Sequence, residues 1–366
     1  MGSRRDTGVT GGRRDLLALT AELIDVPSES HHEGPLTDHI EAELRAVGWL
    51  DVERVGANLV ARTHLGRPER LVLAVHTDTV PANGNERARI TDDTVWGLGA
   101  SDMKSGLAIM IELARTVVQP ALDVTYVFYA GEEVAAVHNG LGHLLRDRPD
   151  LLAADIAILA EPTGAVLEAG CQGTMRFEVT LGGRRAHTAR PWLGRNAVHR
   201  LGRVLALLDD YRERQPVING CRYREALQAV FVDGGVAGNV VPDRATVVVN
   251  HRFAPDRDAP AAEAHVRELL APVLEPDDTV TVVDSAPGAA PRLDHPLLRA
   301  LIDRNGLEVR AKLGWTDVAR FAAEGVPAAN LGPGDPLLAH APDERVDRDQ
   351  LEQAWSILHG LVAGAG

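Results

Sequence analysis

Three short runs of apolar, mostly branched residues, at 71–75, 124–129 and 156–159, constrain this chain more than any other feature. Uninterrupted runs of this kind are strands covered on both faces. A stretch of helical spacing at 104–117 separates the first two runs, and strands alternating with helices build a layered α/β sheet. Upstream, Leu16, Leu17, Leu19, Leu23 and Ile24, then Leu36, Ile40, Leu44 and Val47, predict two amphipathic helices broken at Pro27. Such a sheet needs a large core. With 366 residues, 45% of them apolar, the chain has the material for two domains, and disorder as its main state is excluded. Residues 1–12 are polar and glycine-rich and are expected to fray, with the fold beginning near Asp15.

Around Gly170 the texture changes to an alternating strand at 175–181, a helix at 196–211, strands at 227–232 and 245–251, a helix at 261–270 and a strand at 280–283. This β-α-β-β-α-β order is ferredoxin-like and predicts an inserted second domain. The expected division is 13–173 for the first part of a catalytic domain, 174–286 for the insert and 287–366 for the second part. A helix and a strand near 328–331 would return to the first sheet.

Lys and Arg total 38 against 52 for Asp and Glu, a formal charge of −14 that argues against a nucleic-acid partner. An anionic ligand must therefore meet a local group of arginines. No apolar run approaches the ~18 residues of a membrane span, and Arg4 and Arg5 precede no apolar signal segment, so a cytoplasmic protein is expected. Only Cys171 and Cys221 occur, too few for a disulfide framework or a thiolate metal cluster. Any metal chemistry must use histidine and carboxylates.

The apolar runs end in such residues. The segment LVLAVHTDTVP places His76 and Asp78 two apart, on one side of a strand end. In α/β sheets ligands gather at the carboxyl ends of strands. Asp102 follows in WGLGASDMKSG just before a helix, where alone it reads as an N-cap. Glu132 and Glu133 follow the second run, two adjacent acids that would repel unless a cation meets them. Glu161 ends the third, and His340 lies in LLAHAPDERV. Each has a bland reading as a hydrogen-bonded pair, a solvated turn or an exposed loop histidine. Together, two imidazoles and three carboxylates are what two divalent ions ~3.5–4 Å apart require, with one carboxylate bridging. Zinc suits these N and O donors, with cobalt or manganese as substitutes. One acid of the Glu132–Glu133 pair remains for proton transfer, so a dinuclear hydrolase is expected.

In this order the segments resemble the metallopeptidase family that includes succinyl-diaminopimelate desuccinylase, acetylornithine deacetylase, aminoacylase and glutamate carboxypeptidase. The resemblance spans nearly the whole chain. It implies a zinc-exopeptidase-like catalytic domain with an inserted dimerisation domain, a homodimer, and a small N-acyl amino acid as substrate. It further implies that His76 and Glu161 hold one metal, Glu133 and His340 the other, and that Asp102 bridges them. By the same resemblance Glu132 is the general base and Asp78 the acid that orients His76. His187, in GRRAHTARPWLGRNAV, matches the histidine that steadies the oxyanion in the partner subunit's site. Asn239 and Arg252 match substrate-carboxylate residues, and GWTDVARF contributes Gly314, Trp315 and Thr316 as substrate contacts.

EAGCQGTMR, VAGNVVPDRATVVVNHRFAPDR, GWTDVARF and GPGDPLLAH resemble the actinobacterial type of succinyl-diaminopimelate desuccinylase. The implied reaction is release of succinate from N-succinyl-LL-2,6-diaminopimelate in lysine and diaminopimelate biosynthesis. Cys171, Gln172, Gly173 and Thr174 stand where proteobacterial enzymes carry Arg-Arg-Gly-Ser, so one succinate-binding Arg is missing. Arg184, Arg185, Arg190 and Arg195 offer other cations. The alternatives are an acetylornithine deacetylase-like enzyme, a desuccinylase of specialised metabolism, a dipeptidase or carboxypeptidase and, remotely, a non-catalytic dimeric binding module. A serine or cysteine nucleophile finds no support, because no Gly-x-Ser-x-Gly elbow is present and Cys171 has no evident base.

Overall fold

The computed structural model describes residues 12–364, so the polar start at 1–11 lies outside the described residues. The chain divides into two compact units. One takes the chain as far as Ala169, Arg292–Arg310 and the stretch from Arg320 onward; the other takes Gly170–Pro291 and Ala311–Ala319.

The first unit is built on an eight-stranded mixed sheet. In spatial order its strands are Asp51–Val55, Asn58–Arg62, Asp123–Tyr129, Arg70–His76, Ile156–Leu159, Ala328–Asn330, Leu167–Ala169 and Val309–Ala311. The three runs read from sequence form its parallel centre together with Ala328–Asn330. All seven residues of Asp123–Tyr129 are buried, as expected for a strand covered on both faces. Helix Lys104–Thr116 buries all but its last two residues and packs on Leu16–Ile24, Gly34–Ala46 and Arg348–Ala363. The last of these helices, the hairpin 51–62 and a three-stranded sheet of Arg89–Thr91, Thr94–Trp96 and Arg345–Asp347 were not singled out from sequence.

Two glycines let elements close around the end of strand Ile156–Leu159. A Cβ on Gly106 would lie 2.6 Å from the Ala160 carbonyl oxygen, and one on Gly332 would lie 2.3 Å from that atom and 2.5 Å from the Glu161 carbonyl oxygen. Backbone fills that space, so neither position accepts a side chain.

In the second unit strand Gly173–Gly182, helix Ala197–Asp209, strands Ala226–Gly234 and Arg244–Phe253, helix Ala259–Leu270 and strand Thr279–Ala286 follow the β-α-β-β-α-β order. The sheet runs 226–234, 244–253, 173–182, 279–286, antiparallel throughout. Met175, Phe177, Val179 and Leu181, with Val247, Val249 and Phe253, face the core formed with the two helices. The alternate residues face away from it. Among the described residues no helix is long and apolar enough to cross a membrane.

Candidate metal centre

Parallel register brings the first candidate ligands together. Ala74 pairs with Leu159, so His76 and Glu161 each lie two residues further along neighbouring strands. His76 pairs with Tyr129 on the other side, which places Glu132 and Glu133 just past that strand end. Asp102 arrives on the loop before helix Lys104–Thr116. The cap position of that helix is Met103, without a side-chain hydrogen bond, so Asp102 is not spent as an N-cap. His340 lies in a loop at φ 62°, a left-handed conformation uncommon for a residue with a side chain.

His76 Nε2 is 3.0 Å from Asp102 Oδ1, and His340 Nε2 is 3.7 Å from Asp102 Oδ2 and 2.8 Å from Glu133 Oε1. Asp102 therefore turns one oxygen toward each histidine, the arrangement of a bridging carboxylate. Ligand atoms of His76, Asp102 and Glu133 lie within 4.8 Å of one another. The donors are imidazole nitrogen and carboxylate oxygen, which fits the divalent ions expected. His76 is buried, whereas the His340 side chain is 48% exposed, so the centre opens on that side.

Asp78 organises more than one neighbour. His76 Nδ1 lies 3.0 Å from the Asp78 backbone carbonyl and 3.6 Å from its Oδ1. A nitrogen facing a carbonyl oxygen carries the proton, so in the neutral ring Nε2 is the nitrogen left to bind a metal ion. The Asp78 carboxylate accepts the Glu132 N–H at 3.0 Å, the Glu133 N–H at 3.1 Å and the Ser30 hydroxyl at 2.7 Å. Burial opposes its ionisation, yet His76 and these donors prevail and hold the carboxyl well below the usual range. At His340 the hydrogen bond to Glu133 outweighs burial and pushes the imidazole up to about 9.

Sequence reasoning missed Glu344, four residues beyond His340. It is 1% exposed, and its carboxylate accepts three backbone N–H groups: Gly99 at 3.0 Å, Ser101 at 2.9 Å and Asp102 at 2.9 Å. Burial pushes its carboxyl up to about 7 against those donors. Lys104 was missed as well; it is buried and donates to the Val26 carbonyl at 2.8 Å. An acid four residues from a candidate ligand, in a segment otherwise held to be loop, was the available signal for Glu344.

The remaining expected residues, His187, Asn239, Arg252, Gly314, Trp315 and Thr316, lie in the second unit. His187 bridges to Val240, and the Thr188 N–H bonds the Asn239 carbonyl at 3.0 Å, so the loops carrying His187 and Asn239 adjoin. The exposed His187 accepts the Ala189 N–H on Nδ1 at 3.0 Å, which leaves the neutral ring's proton on Nε2. Arg252 stands on the sheet face away from the core. Trp315 donates to the Pro287 carbonyl at 3.1 Å, and Gly314 is exposed. The thiol of Cys171 is fully buried, lies 3.7 Å from the Thr316 carbonyl oxygen and is pushed up to about 11 by burial, so it carries no charge there.

The pattern that defines Peptidase family M20/M25/M40 matches residues 72–364. The chain belongs to this family. A protein of Mycobacterium tuberculosis (strain H37Rv), provisionally named succinyl-diaminopimelate desuccinylase DapE, is 50% identical over 353 residues, covering 96% of this chain and 99% of its own. The succinyl-diaminopimelate desuccinylase of Corynebacterium glutamicum is 45% identical over 352 residues, covering 94% and 95%. A solved tripeptidase from Staphylococcus aureus shares the fold at a TM-score of 0.80 and 22% identity, covering 96% and 99%. Membership, together with these relatives, makes the chain a metal-dependent hydrolase.

Proposed function

We propose that the protein removes succinate from N-succinyl-LL-2,6-diaminopimelate, an amide hydrolysis in lysine and diaminopimelate biosynthesis. The near-full-length identity to the two relatives named for this reaction carries the substrate assignment. His76 and Glu161 would hold one ion, Glu133 and His340 the other, with Asp102 between them. Zinc is the first choice and cobalt or manganese the alternatives. When bound, the two ions acidify water and polarise the amide carbonyl.

The chain's own groups move the protons. Glu132, fixed through its backbone N–H by Asp78, takes a proton from the attacking water and hands it to the leaving amine. His187 offers its Nε2 proton to the oxyanion, and the Nδ1 bond to Ala189 supports that tautomer. Arg252 and Asn239 receive a substrate carboxylate, with Gly314, Trp315 and Thr316 beside it. The working form is a homodimer in which His187 serves the partner's site. Support for pairing comes from strand Ala226–Gly234, which lies at a sheet edge and exposes Val230, Phe231 and Val232.

One observation favours a second reading: Cys171, at the position where the family resemblance implies a succinate-binding arginine, is buried and uncharged, which suits a less anionic acyl group. Turnover of N-succinyl-LL-diaminopimelate, N-acetyl-L-ornithine and N-acyl-L-glutamates by the metal-loaded protein separates the two. A kcat/KM highest for the succinyl substrate is expected. Preference for an acetylated amino acid would overturn the assignment while leaving the metal centre in place.

A further inference from the structure

The face of the second unit's sheet that turns away from its core carries a charged group at one end. Arg252 lies opposite Thr174, and Arg176 lies opposite Asn250 on one side and Asp284 on the other. Neighbours on this face, including diagonal ones, are within reach of long side chains. Arg176 Nη2 is 2.8 Å from Asp284 Oδ2, and Asn250 Nδ2 donates to Thr174 Oγ1 at 3.2 Å. A register irregularity between Val282 and Asp284 sets this pairing. Val282 faces Phe177 on the core side, the ladder skips Val283, and Asp284 rather than Val283 meets Arg176. Such a bulge re-aims a side chain at the expense of ladder regularity.

The result is two guanidiniums and one carboxylate on adjacent strands. Burial disfavours the charge on Arg252, Arg176 adds repulsion, and Asp284 offsets part of both. An anion delivered to this face relieves the repulsion. The Arg176–Asp284 pair is itself half open, with side chains 51% and 38% exposed, so its own contribution to stability is small and both charges remain reachable.

We propose that Arg176 and Asp284 form a subsite for a zwitterionic amino-acid terminus, Arg176 taking the carboxylate and Asp284 the ammonium, next to the carboxylate held by Arg252. This rests on the reading of Arg252 as a substrate-carboxylate anchor. It assigns the specificity of the reaction: the amine half of N-succinyl-LL-2,6-diaminopimelate has one carboxylate beside the scissile amide and, beyond three methylenes, a free amino-acid end. Two cations and one anion complement two carboxylates and one ammonium. Arginine's planar fork grips a carboxylate in two bonds, which fixes the orientation of that end.

The test uses the full-length, metal-loaded enzyme with N-succinyl-LL-diaminopimelate and N-succinyl-L-norleucine, which lacks the distal amino-acid end. Arg176→Met is expected to lower kcat/KM for the first by ~10-fold or more, mainly through KM, and to leave the second within about twofold. Asp284→Asn should act on the same substrate alone, and Arg176→Lys should restore part of the loss. Arg252→Lys, by contrast, should impair both substrates. Equal losses on both substrates for Arg176→Met, or none, overturn the subsite. An Arg252→Lys variant that is silent on both overturns the anchor instead. Should the norleucine substrate fail to turn over, inhibition by LL-diaminopimelate and by L-norleucine gives the same comparison.

Discussion

Replacing Glu344 tests whether a group outside the ligand set governs the metal centre. Its carboxylate accepts the N–H groups of Gly99, Ser101 and Asp102, so one buried side chain fixes the loop that presents Asp102, the proposed bridging ligand. Glutamine keeps the shape, and its carbonyl serves two of the donors, but its NH2 then faces the third. A buried donor left without an acceptor costs about 1–3 kcal/mol. Metal binding has to restore the loop against that cost, so Glu344→Gln should weaken the ion shared by Asp102 by roughly 5-fold to 10²-fold, at 1.4 kcal/mol per decade. Glu344→Ala leaves all three N–H groups without their acceptor and should weaken it more, less than additively where water enters. Competition of zinc between the protein and a chromophoric chelator reads the affinities, and cobalt absorption reads the ligand geometry. A Glu344→Gln variant that lowers the unfolding temperature yet binds both ions as tightly as wild type would refute this reasoning and reduce Glu344 to a packing role.

Glu132→Ala should retain two metals while kcat falls ~10²- to 10⁴-fold, the usual worth of a general base, whereas Glu133→Ala should lower metal occupancy; identical stoichiometry in both by elemental analysis would show the pair misassigned. His251 is fully buried with both ring nitrogens unpaired, and burial pushes it from 6.5 to about 4. Its folded-state pKa lies below the unfolded one, so the neutral ring's full stability is present above about pH 6.5 and is lost as pH falls toward 4, roughly 3 kcal/mol in all. His251→Phe should therefore flatten the fall of the melting temperature over that range, and an unchanged slope would remove His251 as the cause. Mixing His187→Ala with Glu132→Ala protomers should recover up to about a quarter of wild-type activity if His187 serves the partner's site, and no recovery despite subunit exchange would place it elsewhere.

Legibility followed locality. His76, Glu132, Glu133 and Glu161 were readable because each ends a run of apolar residues, and strand ends in an α/β sheet project side chains to one edge. The hairpin 51–62 was overlooked because DVERV carries three charges, although the two-residue turn Gly56–Ala57 before an apolar strand was a usable cue. Asp102 looked like a helix cap from its position alone, and only the backbone at Met103 shows that the cap lies one residue later. Glu344 gave only its spacing from His340, and Ser30 no local signal, for a different reason. Their partners are 242–245 and 48 residues away, and a DER run in sequence has the character of a solvated surface until the fold buries one of its acids.

Asp78 shows why the His-x-Asp spacing matters beyond supplying a partner for one imidazole. The two-residue offset sets the Asp78 carbonyl on His76 Nδ1, while its carboxylate reaches the backbone of both Glu132 and Glu133. The candidate base and a candidate ligand are thus hung from the same anion that steadies the first histidine. Two adjacent carboxylates would otherwise repel, but backbone N–H groups pinned on either oxygen of Asp78 fix where their side chains start, and one is then drawn to His340 at 2.8 Å. The division of labour between neighbours of identical chemistry follows from that geometry rather than from any difference between the two glutamates.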